Sequence, residues 1–177
     1  MIDVEATERF MSAPWLPEVD PETKMAILGA LVESRAPAKA TLLEQDQPND
    51  HLSFLIEGAA VIERSFDNGR REIITTITAP SVFGTTSFFR PEPPAVSVRA
   101  TSDVWMLSLY HPAHEALRVA NPRAAEALAL AVLRALSERF DLMDRLFSNY
   151  MARHPNESSQ MSEWAGFRSR LFDESGV

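Results

Sequence analysis

The spacing of apolar residues changes character three times along the chain. Over residues 1–35 it follows a helical period, broken at Ser12-Ala13-Pro14. Asp20 followed by Pro21 is a helix start signal. A carboxylate there caps free N–H groups, and proline suits the first helical position because its missing N–H would have had no partner. Met25, Leu28, Leu31 and Val32 then recur at helical spacing, which predicts one buried face, and Pro37 ends the segment.

From about Thr41 to Leu109 the rhythm shortens. The runs TLLE, SFLIEG, AVIERSF, EIITTI, AVSVRA and VWMLSL are rich in β-branched and aromatic residues. Turn residues separate them: Gln47-Pro48-Asn49-Asp50, Asp67-Asn68-Gly69 and Ala79-Pro80-Ser81. Asn-Gly between two such runs is a strong hairpin signal. Strands at this density, with no helices between them, predict an antiparallel sandwich or barrel.

From Pro122 to about Met151 the helical period returns. Ala129, Leu136, Met143 and Tyr150 recur every seven residues, with Leu133, Phe140 and Phe147 as a parallel stripe. At ~1.5 Å per residue this helix reaches roughly 45 Å, and its apolar band is wider than a small barrel needs. His154–Gln160 then reads as a polar linker. Trp164, Phe167 and Leu171, with Arg168 and Arg170 between them, make a short amphipathic tail suited to a docking role or a protein partner. The expected organisation is residues 1–121 as N-terminal helices and barrel, 122–153 as a long helix, and 154–177 as linker and tail.

Composition narrows the function. Apolar residues make up 45% and charged residues 24% of 177 residues, the range of an ordinary globular domain. No apolar run approaches the ~20 residues that span a bilayer, and the polar, acidic start MIDVEATERF is not a secretory signal. With no cysteine there is no disulfide and no thiolate nucleophile or ligand. A cytoplasmic location without membrane contact follows by elimination. The net charge of −8 disfavours nucleic acid, whose binding rests on neutralised phosphates.

The order of helix, short-strand barrel and long helix resembles the cyclic-nucleotide-binding domain of the catabolite-activator and protein-kinase regulatory-subunit superfamily over roughly Phe10–Met151. Leu43–Asp50 is similar to the family's second-strand turn, with Asp46 and Asn49 where glycine usually stands. Of the two, Asn49 suits a left-handed turn position better. Phe54-Leu55-Ile56-Glu57-Gly58 resembles its apolar strand ending in glycine, and Asn68-Gly69 falls at its hairpin. Ile77–Gly84 resembles the run into its phosphate-binding cassette. Pro94–Ala100 and Asp103-Val104 resemble the strands that close it. The resemblance implies a mainly β fold with flanking helices: a jelly-roll β-barrel (double-stranded β-helix) plus a long C-terminal helix.

It also implies a site at Phe83, Gly84, Thr85, Thr86, Ser87, Pro94, Ala95 and Val96. In the family a glutamate usually follows Phe-Gly and takes the ribose, and an arginine before the alanine pairs with the phosphate. Here Thr85 and Pro94 hold those positions. What remains is a glycine followed by hydroxyls and amides able to open a short helix, a generic anion nest. Arg90 and Arg99 lie nearby and either replace the missing cation or stand solvated.

Other chemistries are less well served. A metal-dependent barrel enzyme needs two or three histidines and a carboxylate on one ion. His111 and His114 are three apart but flank Pro112 at a strand-to-helix junction, and His51 and His154 stand alone. No metal site is expected, and the serines lack a Gly-x-Ser-x-Gly elbow. The linker and tail are too short to supply a helix-turn-helix reader. The long helix, through Leu136, Phe140, Met143 and Phe147, is expected to form a homodimer seam, as the resemblance implies. The expected function is a non-enzymatic regulatory sensor of a small anionic ligand, with a cyclic nucleotide foremost and no resident cofactor. The alternative is a ligand-free interaction or scaffold protein on the same fold.

Overall fold

A computed structural model describes residues 2–90 and 92–153. The linker and the tail with Trp164, Phe167, Arg168, Arg170 and Leu171 lie outside the described residues, as does the side chain of Phe147. The described elements run α1 (Val4–Ser12), α2 (Pro21–Gly29), β1 (Val32–Ala36), β2 (Thr41–Leu43), β3 (His51–Glu57), β4 (Ala59–Ser65), β5 (Arg71–Thr78), β6 (Ser81–Phe83), α3 (Thr85–Phe89), β7 (Ser97–Ala100), β8 (Val104–Tyr110), α4 (His111–Ala120) and α5 (Pro122–Arg153). Two compact units divide the chain, Met1–Val132 and Leu133–Val177.

In the first unit the strands form two four-stranded antiparallel sheets, ordered β1-β8-β3-β6 and β2-β7-β4-β5. This is a jelly roll flanked by helices. Between the sheets lie Leu43, Leu55, Ala60, Phe83, Val98, Ala100, Val104 and Met106. β3 and β8 are buried on both faces. Their alternate residues Leu52, Phe54, Leu107 and Leu109 are also fully enclosed, and α1 packs on β3 while α4 packs on β8. Phe10 of α1 meets Phe54 edge-on with ring centres 5.2 Å apart, and Trp15 meets the same ring at 5.2 Å. Such pairs add to what area burial alone supplies.

Local chemistry starts and stops the elements as the sequence predicts at several points. Asp20 accepts the Thr23 N–H at 2.9 Å, with Pro21 at the first helical position. These bonds from Thr23 hold the Asp20 carboxyl below its usual range. Asp67-Asn68-Gly69 forms the β4–β5 hairpin, closed by the Phe66 N–H on the Arg70 carbonyl at 2.9 Å, with Gly69 at φ 79. A left-handed residue closing a three-residue loop matches the twist of the flanking strands.

One expectation changes. The sequence predicts helix over residues 1–35, but α2 stops at Gly29 and Val32–Ala36 pairs with β8, from Val32↔Ser108 to Ala36↔Val104. Strand pairing overrides a weak local helical pattern here, and valine has little helix propensity to oppose it. Leu28 and Leu31 are buried, while Met25 and Val32 are exposed. The helix expected to start at Pro122 is α5. The first unit continues to Val132, and Ala124, Ala125, Leu128 and Val132 of α5 are buried. No helix among the described residues is long and apolar enough to cross a membrane.

Gly58 joins β3 to β4 at φ +90, and a Cβ there would overlap the Asp103 carbonyl oxygen and crowd Ser102 Oγ. Gly58→Ala is expected to destabilise the protein by about 1–3 kcal/mol or more, through left-handed strain and overlap with a backbone atom. Gly29 has open space around its Cβ position at the end of α2, so Gly29→Ala should be neutral or stabilising by up to about 1 kcal/mol. Urea unfolding of the two variants against the parent reads both effects.

Candidate functional site

The segment Phe83–Val96 begins where β6 turns into a helix. Phe83 is buried between the sheets. Gly84 follows at φ 81 and caps α3 without a side chain. A Cβ at Gly84 would stand 2.8 Å from the His51 carbonyl oxygen, so the close approach requires glycine. α3 then forms with the Phe88 N–H on the Gly84 carbonyl at 3.0 Å. Thr85 and Ser87 are buried and Thr86 is exposed. The Thr85 side chain is 6% exposed, and its hydroxyl has no hydrogen-bond partner among the described residues. At the far end Pro94 is buried, Ala95 exposed and Val96 half-buried, and β7 starts at the next residue.

The turn between β2 and β3 touches both ends of this segment. The Asp46 N–H donates to the Pro94 carbonyl at 2.9 Å. Asn49 Nδ2 donates to Ser87 Oγ at 2.9 Å and to the His51 carbonyl at 2.8 Å. Gln45 fixes the turn to β4: its Oε1 accepts the Ser65 N–H at 2.8 Å and its Nε2 donates to the Ser65 carbonyl at 3.0 Å. The sequence points to Asn49 as the left-handed residue, but Asp46 takes that conformation, at φ 60. The two residues divide the work. Asp46 N–H is pinned to Pro94, while the Asn49 amide spans the gap to α3, a bridge aspartate could not donate to. Sequence reading missed Asn49 and Gln45 as positioning residues. Their only signal is the turn composition Gln45–Asp50, which names a turn and not its partners.

Both candidate cations are engaged. Arg99 Nε donates to Glu63 Oε1 at 3.1 Å and Nη1 to Thr41 Oγ1 at 3.2 Å. Val98 and Ala100 point between the sheets, so Arg99 lies on the opposite face of β7. Glu63 is only 8% exposed and has a second, longer contact to Arg71 at 3.9 Å. Arg90 sits at the end of α3, exposed, with Nη2 2.7 Å from Glu92 Oε1.

The histidines serve α3 and α4. His111 Nε2–H donates to the Phe88 carbonyl at 2.8 Å, and its ring lies 4.6 Å from that of Phe88. His114 stands edge-on to Phe88 at 5.4 Å and to Phe89 at 5.6 Å. Burial pushes the His114 imidazole below its ordinary pKa, as do Arg118 and His111, against the opposing pull of Glu115. Among the described residues, no three of the histidines and acids converge as metal ligands. An open cleft of 730 Å³ lies beside these rings.

The Asn49 bridge can be tested directly. Asn49→Ala removes two hydrogen bonds and leaves the His51 carbonyl and Ser87 Oγ short of a donor. It should cost about 1–3 kcal/mol in chemical denaturation, and hydrogen exchange should show earlier opening of α3 than of β3 and β8.

With the fold and the segment described, the chain can be set beside known proteins. Residues 33–121 match the family model described as Cyclic nucleotide-binding domain. Over 149 residues the chain is 25% identical to the CRP-like cAMP-activated global transcriptional regulator of Mycobacterium tuberculosis. That match takes in 84% of this chain and 66% of the regulator, just under two thirds of its length. Among solved structures, the N-terminal domain of a transcriptional regulator from Streptomyces coelicolor A3(2) is 25% identical with a TM-score of 0.65, covering 76% of this chain and 94% of that one. A cyclic nucleotide-binding domain from Methylobacillus flagellatus KT is 18% identical with a TM-score of 0.72, covering 82% and 84%, and shows the shared fold. Half of the chain, from β1 to the end of α4, fits the family model, and the chain belongs to the cyclic nucleotide-binding domain family.

Proposed function

We propose that the chain is a non-catalytic regulatory module that takes a small anionic ligand, of the cyclic-nucleotide class, at Phe83–Val96. The observation that carries this reading is the Gly84–Ser87 turn. A left-handed glycine opens a helix, and beside it Thr85 keeps a buried hydroxyl with no partner among the described residues. Backbone N–H groups and a hydroxyl are the donors an anion needs. The family name and the regulators similar to this chain support the class of ligand. The cysteine-free composition fits a cytoplasmic setting.

Affinity is the point at which this module departs from its family's pattern. Each charge-assisted hydrogen bond contributes ~1.5–3 kcal/mol, and ~1.4 kcal/mol is tenfold in affinity. Thr85 and Pro94 stand where the resemblance places a glutamate and an arginine, and Arg90 and Arg99 already hold carboxylates. Cyclic AMP should therefore bind at micromolar affinity or weaker. Thr85→Glu with Pro94→Arg should raise affinity more than about tenfold in calorimetry. Nanomolar binding by the parent chain would overturn the weakened-site reading. No binding by either protein would favour a ligand-free interaction module, the reading to which the two engaged arginines also lend weight.

The surface for assembly is α5. In the second unit Leu133, Phe140 and Met143 are 60%, 45% and 46% exposed, and Leu136 is half-buried. Their spacing repeats the stripe read from the sequence, and a second copy of the same helix would cover it. Met143→Glu would set a charge without a partner into that seam, so light scattering should give a dimer for the parent and a monomer for the variant. A monomeric parent would refute the seam.

A further inference from the structure

We propose that the cleft beside α3 and α4 is a second binding site, for a flat aromatic cation. Its volume, 730 Å³, lies in the ~300–1,000 Å³ range of small-molecule sites. Its wall is a cluster of four rings. Phe88 meets Phe89 edge-on at 5.0 Å, and His111 and His114 complete the group from α4. Phe89 lines the cleft and is 41% exposed, so part of an aromatic ring faces solvent there. Ring faces carry the negative end of the aromatic quadrupole and attract cations.

The charges on the cleft select the same sign. Glu115 takes both contacts from Arg118 Nη1, at 3.1 and 3.0 Å, so this pair cancels. Glu126, which lines the cleft from α5, has no ion-pair or hydrogen-bond partner among the described residues. The His114 ring also lacks a hydrogen-bond partner among the described residues, and its lowered basicity keeps it neutral near pH 7. The sum is one uncompensated carboxylate in a cleft that is also lined by aromatic rings and a neutral imidazole. An aromatic ring bearing an ammonium group satisfies each part: the ring against Phe88 and Phe89, the charge toward Glu126. A cyclic nucleotide fits poorly, because its phosphate would face Glu126. Phe88 and Phe89 also end the helix that Gly84 opens, so an occupant would lean on the segment proposed for the anion.

The test uses the full chain at pH 7.5 with two probes of similar ring and opposite charge, tryptamine and indole-3-acetate. Protein-observed NMR should show tryptamine shifting the His114 and Phe89 ring signals at millimolar concentration, with indole-3-acetate silent. Glu126→Gln should weaken tryptamine roughly fivefold, the size of one partly solvated ion pair, without changing the melting temperature. Phe89→Ala should weaken it further. No shift with tryptamine, equal shifts from both probes, or unchanged affinity in Glu126→Gln would each overturn the proposal. No cyclic nucleotide enters the experiment, so its outcome is independent of the anion reading.

Discussion

β3 and β8 pair at the centre of one sheet and are buried on both faces, so the rest of the first unit must supply two cores to them. The second sheet provides one, through Leu43, Val98 and Ala100; the helices provide the other, through Phe10 and Leu117. Burial of this kind contributes about 1.5–3 kcal/mol for each large apolar side chain, which makes the pair the stable frame of the unit. Its one polar pair on the inner face is satisfied internally: Ser53 Oγ and Ser108 Oγ lie 2.7 Å apart, directly opposite in register. The candidate site sits at the end of this frame. Phe83 pairs with Ser53, and the next residue is the glycine that opens α3.

That placement explains how Thr85 and Pro94 can stand where the resemblance places two charged anchors without loss of the fold. A glutamate and an arginine there would be buried charges whenever the ligand is absent, and such charges cost several kcal/mol unless paired. Threonine and proline carry no such cost. Pro94 still supplies its carbonyl to Asp46, the contact that holds the end of the segment to the β2–β3 turn. The geometry therefore persists through backbone groups and Asn49, independent of the charges that would grip a ligand. On the proposed reading, shape and affinity are separable here: the geometry is kept while the charged anchors are replaced.

How much of this was legible in the sequence depended on how local the cause was. The Asp20 cap, the Asp67-Asn68-Gly69 hairpin and the glycine after Phe83 act through their own neighbours, and each appears where the residues place it. The jelly roll followed from strand density and a family resemblance together. β1 was not legible, because Val32–Ala36 becomes a strand only by pairing with β8, late in the chain. Nor was the choice of Asp46 over Asn49 for the left-handed turn, since the Asn49 amide is committed to Ser87 on another element. The same applies to His111, whose donor role to Phe88 requires α3 and α4 to be adjacent. Partner choice across the fold is a tertiary fact, and residue type alone only narrows it.

The state of Arg99 shows why a nearby cation is not automatically an available one. Glu63 is nearly buried and depends on Arg99 at 3.1 Å, with Arg71 only at 3.9 Å. To reach an anion at the Gly84 turn, Arg99 would have to give up its contact with that carboxylate. Leaving a nearly buried carboxylate with only the longer Arg71 contact is costly, and that cost offsets what a charge-assisted bond to the ligand would return. Arg90 is exposed and holds its carboxylate more cheaply, but it caps the C-terminal end of α3, opposite the Gly84 end where the free N–H groups begin. An anion at the proposed site would therefore be held mainly by the α3 N–H groups and the Thr85 and Thr86 hydroxyls. Neutral donors of that kind discriminate among anions by shape more than by charge, so on the proposed reading selectivity would rest on the shape of the turn that Asn49 holds in place.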